Sequence, residues 1–264
     1  GENVVIVAPT GSGKTEAFAI PIIQSVAKMV KRLGAFRLGS EGVKALFIYP
    51  TKALGRDQLP KLKRMGNAVG VRIRVFDGDT PQPERRRILD DPPEIIITNF
   101  DVLHYHFMHR TAFSRLLMGV KYVVVDEVHV YKGTFGSNVH FILKRLQRLT
   151  GGFQIVAASA TISNPQEFCE TLFGTWFTVV SGGEGRHGRI HFAIIFPTLR
   201  SHRTLVVDLL KNLASSNYRP IVFSGSHLGA ELTAFYARRG GVDVEVHRAG
   251  LLPGHRKRVE EMFK

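Results

Sequence analysis

The sequence predicts an α/β fold: a parallel sheet covered by helices on both faces, followed by a second segment of the same alternating kind. Three observations carry that expectation. Short, almost wholly apolar runs at 4–7, 45–49, 95–98 and 122–125 alternate with longer helical stretches, the pattern of strands buried on both faces. The first run leads into Thr10-Gly11-Ser12-Gly13-Lys14-Thr15, a glycine-rich turn that opens a helix. The fourth delivers Asp126-Glu127 to its carboxyl end, where ligands sit in open α/β sheets.

Taken in order, strand 4–7 precedes helix 16–33, and strand 45–49 precedes helix 53–65. Strands 71–76 and 95–98 follow, then a helical stretch at 102–108, strand 122–125 and a longer helix at 138–149. Strand 153–157 leads to helix 165–173, with Asn164 as its cap and Pro165 at its first position. Residues 181–188 are rich in glycine and charge and read as a linker. A new alternation begins beyond it: strands at 191–196, 220–223 and 242–246, helices at 204–213, 227–238 and 256–263. The expected division is a nucleotide-binding domain at 1–183 and a partial second α/β domain at 189–264.

Composition narrows the class. Hydrophobic residues are 44% of the 264 and charged residues 22%, which excludes global disorder. No apolar run approaches membrane-spanning length and no segment reads as a signal peptide, so the expected compartment is the cytoplasm, at the nucleoid in a bacterium or archaeon, or the nucleus in a eukaryote. The single Cys169 excludes an intrachain disulfide framework or a cysteine-rich metal site. Thirty-six Lys and Arg against 22 Asp and Glu give a net charge of +14. That excess attracts polyphosphates at long range without reading base sequence, although a solubilising surface carries charge too.

The motifs specify the chemistry further. Gly11 and Gly13 permit a turn whose backbone N–H groups point at anionic oxygens; Thr10 and Ser12 complete it. Lys14 reaches outer phosphates, and the Thr15 hydroxyl suits a magnesium ion, so the pattern calls for a nucleotide with Mg²⁺. Ala8 stands where the general motif begins with glycine. Two carboxylates at the end of strand 122–125 repel unless a cation relieves them. Asp126 is the candidate magnesium ligand and Glu127 the residue that orients an attacking water. His129 gains meaning beside Ser159-Ala160-Thr161, because hydroxyls at the end of a neighbouring strand, Ser159 and Thr161, are placed to sense it. The bland alternative for these hydroxyls is loop capping.

Together these stretches resemble the superfamily 2 helicases and translocases, DEAD/DEAH-like in the wide sense with a DEVH box. Ala8–Thr15, Asp126–His129 and Ser159–Thr161 resemble motifs I, II and III; residues 49–54 resemble motif Ia and 98–103 motif Ib. Asp77-Gly78-Asp79-Thr80 sits where several DNA-helicase branches carry a Gly-Asp-Thr element. Residues 126–136, 143–146 and 159–165, with 247–253, resemble the MrfA-type bacterial repair helicases and their RecQ-related eukaryotic relatives. The resemblance implies two RecA-like domains, the second incomplete within these residues. It also implies an adenine-recognising segment before motif I, and motifs V and VI in the second domain. None of the three falls within the 264 residues.

For substrate, the resemblance implies that Thr51, Lys52, Thr98 and Asn99 face a nucleic-acid backbone. Arg56 extends the first stretch of track, and Ser224, His247 and Arg248 hold the strand from the second domain. Turn or cap chemistry is the competing reading for Thr98 and Asn99. The histidines at 104, 106 and 109 lack metal-ligand spacing and read as surface or packing residues. The expected function is an ATP-dependent DNA helicase acting on single-stranded or tailed duplex DNA in repair or recombination. An RNA helicase, or a non-catalytic nucleic-acid-binding module with a vestigial nucleotide site, are the alternatives. The absence of an Asn-Lys-x-Asp guanine segment argues against a GTPase.

Overall fold

The computed structural model describes residues 1–32, 42–160, 162–182, 191–248 and 250–263. The chain divides into two compact units, Gly1–Gly188 and Arg189–Lys264.

The first unit is built on seven strands, β1 (Val4–Val7), β2 (Ala45–Ile48), β3 (Ile73–Val75), β4 (Ile95–Thr98), β5 (Tyr122–Val125), β6 (Gln154–Ser159) and β7 (Thr178–Ser181). They lie in the order β3-β4-β2-β5-β6-β1-β7, every pair parallel. Every residue of β2 and β4 is buried, which is why those strands are nearly continuous runs of Ile, Leu, Phe and Ala. Helices α1 (Lys14–Arg32) and α2 (Lys52–Asn67) cover one face, burying Phe18, Ile22, Val26 and Leu62. Helices α3 (Gln82–Asp90), α4 (Phe100–Met108), α5 (Ala112–Leu116), α6 (Gly133–Thr150) and α7 (Pro165–Phe173) cover the other.

Local chemistry sets the helix ends. Val139, Ile142, Leu143 and Leu146 give α6 one apolar stripe, and Gly151 ends it in the left-handed conformation at φ +73°. Thr51 and Asn99 cap α2 and α4 through their side-chain oxygens. Pro165 does start α7, but the Asn164 side chain bonds Glu167 instead of a backbone N–H.

Two differences from the sequence expectation have physical reasons. Ser181 is the last residue of β7, not linker: it pairs with Val7, and the Gly182 N–H donates to the Val7 carbonyl at 2.8 Å. A Cβ at Gly182 would lie 2.6 Å from Ala8 Cβ, so glycine is what lets this strand end pass the phosphate-type loop. Residues 183–188 of the expected linker lie outside the described residues.

The second unit contains α8 (His202–Ser215), α9 (His227–Arg239) and α10 (Pro253–Phe263). The expected strands at 191–196, 220–223 and 242–246 carry no ladder bonds among the described residues. An apolar run becomes a strand only when a partner satisfies its backbone, and here Phe192, Phe196 and Phe223 are exposed. Leu210, Ala237 and Val242 form the unit's small core. No described helix in the chain is long and apolar enough to cross a membrane.

Candidate nucleotide and nucleic-acid site

Because all seven strands are parallel, their carboxyl ends share one edge of the sheet, and almost every candidate residue of the first unit falls there. β1, β6 and β5 are neighbours, and β2, β4 and β3 continue the same edge.

The loop after β1 turns through Gly11 and Gly13, at φ +80° and +89°. A Cβ at Gly11 would meet nothing within 4 Å, so the glycines serve backbone conformation and leave the loop's rim open. Thr10, Gly11, Ser12 and Gly13 are exposed; Lys14 and Thr15 are half-buried at the start of α1. The Ser12 hydroxyl donates to the Pro9 carbonyl at 2.6 Å, fixing the turn. The Lys14 ammonium donates to the carbonyls of Ala8 at 2.6 Å and Pro9 at 3.1 Å, lying across its own loop. The helix N-terminus, the exposed turn and this cation together form a cradle for phosphate.

Across β6, Asp126 follows β5 with only 7% of its surface exposed. Its Oδ1 accepts the Glu127 N–H at 2.9 Å. Burial pushes the carboxyl up to about 6, a trend the Glu127 charge reinforces while the Glu127 N–H and Lys14 oppose it. A desolvated carboxylate near enough to feel the Lys14 charge at the start of α1 is the donor type that a hard divalent ion selects. Glu127 itself sits at φ +49°, ψ +46°, a left-handed conformation disfavoured for a side chain of this type.

His129 ties the acidic strand to its neighbour. Its Nδ1 lies 3.1 Å from Ser159 Oγ and 3.4 Å from Glu127 Oε2. Ser159 is fully buried, and its carbonyl accepts the Ala8 N–H at 3.2 Å, so one residue touches both the histidine and the base of the phosphate cradle. Thr161 lies outside the described residues.

Two phenols complete this centre that sequence gave no reason to select. Tyr49 and Tyr131 are 1% exposed with hydroxyls lacking any hydrogen-bond partner. Burial, then the Asp126 charge, holds both above the usual phenol range and therefore neutral. Tyr49 follows β2, immediately beside β5; that adjacency is the signal that would have found it.

The remaining candidates separate by partner. Lys52 is ion-paired to Asp79 at 2.7 Å, with both side chains largely in solvent. Arg56 grips the buried Asp77 through two bonds of 2.7 Å. The loop is further tied by Thr80 Oγ1 to Asp77 and by Arg85, which donates to the carbonyls of Asp77 and Thr80. Thr98 is 3% exposed and its hydroxyl lacks a partner. In the second unit, His247 meets Glu260 at 2.9 Å, Arg248 meets Glu231 at 2.8 Å, and Ser224 is exposed. Of the neighbouring histidines, His106 is a packing residue. Its Nδ1 lies 2.6 Å from Thr111 Oγ1 and its ring packs on Phe76 and Phe113.

Residues 1–168 match the family model described as DEAD/DEAH box helicase. The chain is 33% identical to the "Uncharacterized ATP-dependent helicase YprA" of Bacillus subtilis, over 98% of this chain and 36% of that protein. It is 32% identical to the "Uncharacterized ATP-dependent helicase MJ1574" of Methanocaldococcus jannaschii, over 100% of this chain and 39% of that one. It thus spans less than half the length of these relatives. Among solved structures, "DUF1998 helicase MrfA bound to DNA and AMPPNP" has a TM-score of 0.83 at 32% identity, covering 99% of this chain and 38% of that chain. The likeness identifies the first unit as a RecA-like P-loop domain.

Proposed function

This chain belongs to the DEAD/DEAH box helicase family, and from that premise we propose that it forms the motor core of an ATP-dependent DNA helicase or translocase. The observation that carries the reading is the His129–Ser159 contact. It joins the strand bearing Asp126 and Glu127 to the strand whose end supports the phosphate cradle. A nucleotide-dependent change at the carboxylates thereby has a route to the rest of the edge.

In this reading Lys14 leaves its loop carbonyls for the outer phosphates, and the N–H groups of residues 11–15 take the rest. Thr15 and Asp126 are the residues that would hold Mg²⁺, which would supply neutralisation of phosphate charge. Glu127 orients the attacking water, its left-handed backbone turning the carboxylate away from a continuing strand. Little covalent chemistry falls to the protein, because positioning and electrostatic stabilisation carry phosphoryl transfer. His129 with Ser159, and Thr161 beyond it, couple that event to the nucleic-acid grip. Thr51, Lys52, Arg56, Thr98 and Asn99 line the track from the first domain at 1–183. Ser224, His247 and Arg248 contribute from an incomplete second RecA-like domain at 189–264, and the protein works in the cytoplasm.

DNA is favoured over RNA as substrate because the relatives that share both sequence and fold include MrfA bound to DNA. The test is ATP turnover by the complete protein with and without single-stranded DNA, beside RNA of matched length. Lys14→Ala and Glu127→Gln each abolish DNA-stimulated turnover while leaving DNA binding largely intact. An unchanged rate in either variant sinks the assignment.

A further inference from the structure

Charge is distributed unevenly over the first unit. Between residues 102 and 166 the only acidic side chains are Asp126 and Glu127, against seven Lys and Arg. Among the described residues none of those seven forms an ion pair with a carboxylate, whereas Lys52, Arg56, Lys61, Arg72 and Arg74 each do. Three of the seven, Lys144, Arg145 and Arg148, lie on α6, which contains no acidic residue.

Their placement is periodic. Phe141, Arg145 and Arg148 recur at positions i, i+4 and i+7 of α6 and form one exposed stripe. Tyr105 and Met108, three apart on α4, form a second. The stripes abut, since Arg145 Nη1 lies 3.5 Å from Met108 Sδ. Phe141, Tyr105 and Met108 are 62%, 56% and 57% exposed, with Tyr105 resting edge-on and tilted against His106 and His109 and Phe141 against His140, a display of large side chains to solvent. At the end of α4, Arg110 holds a left-handed backbone at φ +47°, the conformation that turns the chain there.

We propose that the α4–α6 stripe is a second single-strand contact, taking phosphates on Arg145 and Arg148 and unpaired bases on Tyr105 and Phe141. Cations interleaved with exposed aromatic faces suit a single strand, whose bases are free to stack; a duplex offers phosphates alone. Charge complementarity favours α6, which carries no carboxylate; on α4 the exposed Asp101 stands one turn before Tyr105, at the track end of the stripe. The capped start of α4 at Asn99 belongs to the track, and the stripe begins six residues further along that helix. At 1.5 Å per residue it lies about 9 Å on, so a strand leaving the track reaches it within a few nucleotides. The proposal rests on the nucleic-acid reading above and extends it to a surface outside the motifs.

The test measures fluorescence anisotropy of the chain with single-stranded DNA of about 5 and about 16 nucleotides, the range of single-module site sizes. Arg145→Glu with Arg148→Glu weakens binding of the long strand about tenfold and lowers the magnitude of its log–log salt slope by about 1.4, two phosphate contacts' worth. Phe141→Ala weakens the long strand about fivefold through lost stacking. Binding of the short strand stays within twofold, and circular dichroism and thermal unfolding stay unchanged. Equal losses on both lengths, or none on the long strand, overturn the second contact, the latter leaving the surface to a protein partner. Wild-type binding of neither length overturns both readings. Wild-type binding without DNA-stimulated ATP turnover by the complete protein overturns the motor reading alone.

Discussion

Along one edge of the sheet, the ends of β1, β6 and β5 are built differently from the ends of β2, β4 and β3. At the first, neither Asp126 nor Glu127 forms an ion pair with a Lys or Arg among the described residues: Asp126 is buried and its carboxyl raised to about 6, Lys14 rests on backbone carbonyls, and Glu127, beside His129, carries a left-handed backbone. At the second, the side chains satisfy one another. Arg56 is clamped to Asp77, Lys52 pairs with Asp79, and Thr51 and Asn99 spend their oxygens as helix caps. Thr98, with its buried, partnerless hydroxyl, is the exception. The difference fits the tasks proposed for the two ends. A reacting phosphoryl group demands preorganised, uncompensated charge. A track that only grips a polymer works with side chains already paired, provided the pairs are exposed enough to exchange.

The sharpest break in that comparison is Asp126→Asn. Turnover falls by about 10²–10³, the worth of electrostatic groups of this kind to kcat. Stability moves the other way. The folded carboxyl is raised above its ordinary value, so its ionised form weakens the fold above about pH 6 and its protonation relieves that below about pH 4. The variant is therefore more stable than wild type at pH 8, by roughly 1–2 kcal/mol, and equal to it at pH 4. Urea unfolding at both pH values checks this, and a destabilised variant at pH 8 would contradict it.

Arg56→Ala tests the paired end. It leaves the buried Asp77 carboxylate with Thr80 Oγ1 and the Asp79 N–H alone and, with Arg56 itself half-exposed, costs about 1.5–2 kcal/mol in urea unfolding; a loss below about 0.5 kcal/mol would mean the pair is not structural. The pH response of His106, packed beneath that end, opposes that of Asp126. Burial, aided by Arg85 and His109, pushes its imidazole down to about 4. The native state therefore binds fewer protons than the unfolded chain between about pH 4 and 6.5, and the stability it contributes above that window is lost as pH falls through it. The loss is on the order of 2 kcal/mol, and His106→Gln flattens that part of the curve if the assignment is right. The smallest effect is Lys52→Ala. Its exposed pair with Asp79 is worth under about 1 kcal/mol of stability, so unfolding barely changes while strand affinity drops several-fold. Equal effects from Lys52 and Arg56 on stability would erase the distinction between an exchangeable and a fixed pair.

Sequence carried the parallel sheet because its strands are apolar on both faces, a pattern that needs no partner information to recognise. It also carried the cradle and the carboxylate pair, whose residue types are dictated by phosphate and divalent-ion chemistry. It placed the second unit's helices at about the right positions, since Ser201 and Ser226 cap them locally. Its strands there were not matched, because an extended run has no identity apart from its ladder. β7 escaped for the same reason: Thr178–Ser181 is a strand only by its pairing with β1.

The sequence by itself determined which chemical groups are present and in what local frame: a glycine turn before a helix, two acids after a strand, hydroxyls after another. Those are contacts between near neighbours in the chain, and local geometry is enough to set them. Tertiary structure alone decided that the three strand ends are adjacent, that His129 reaches Ser159 across 30 residues, and that Asp77 immobilises Arg56 while Lys52 stays exchangeable. It also decided that Tyr49 and Tyr131 are buried beside the same carboxylate. Desolvation and long-range pairing depend on what the rest of the chain places around a group, and no window of sequence contains that information.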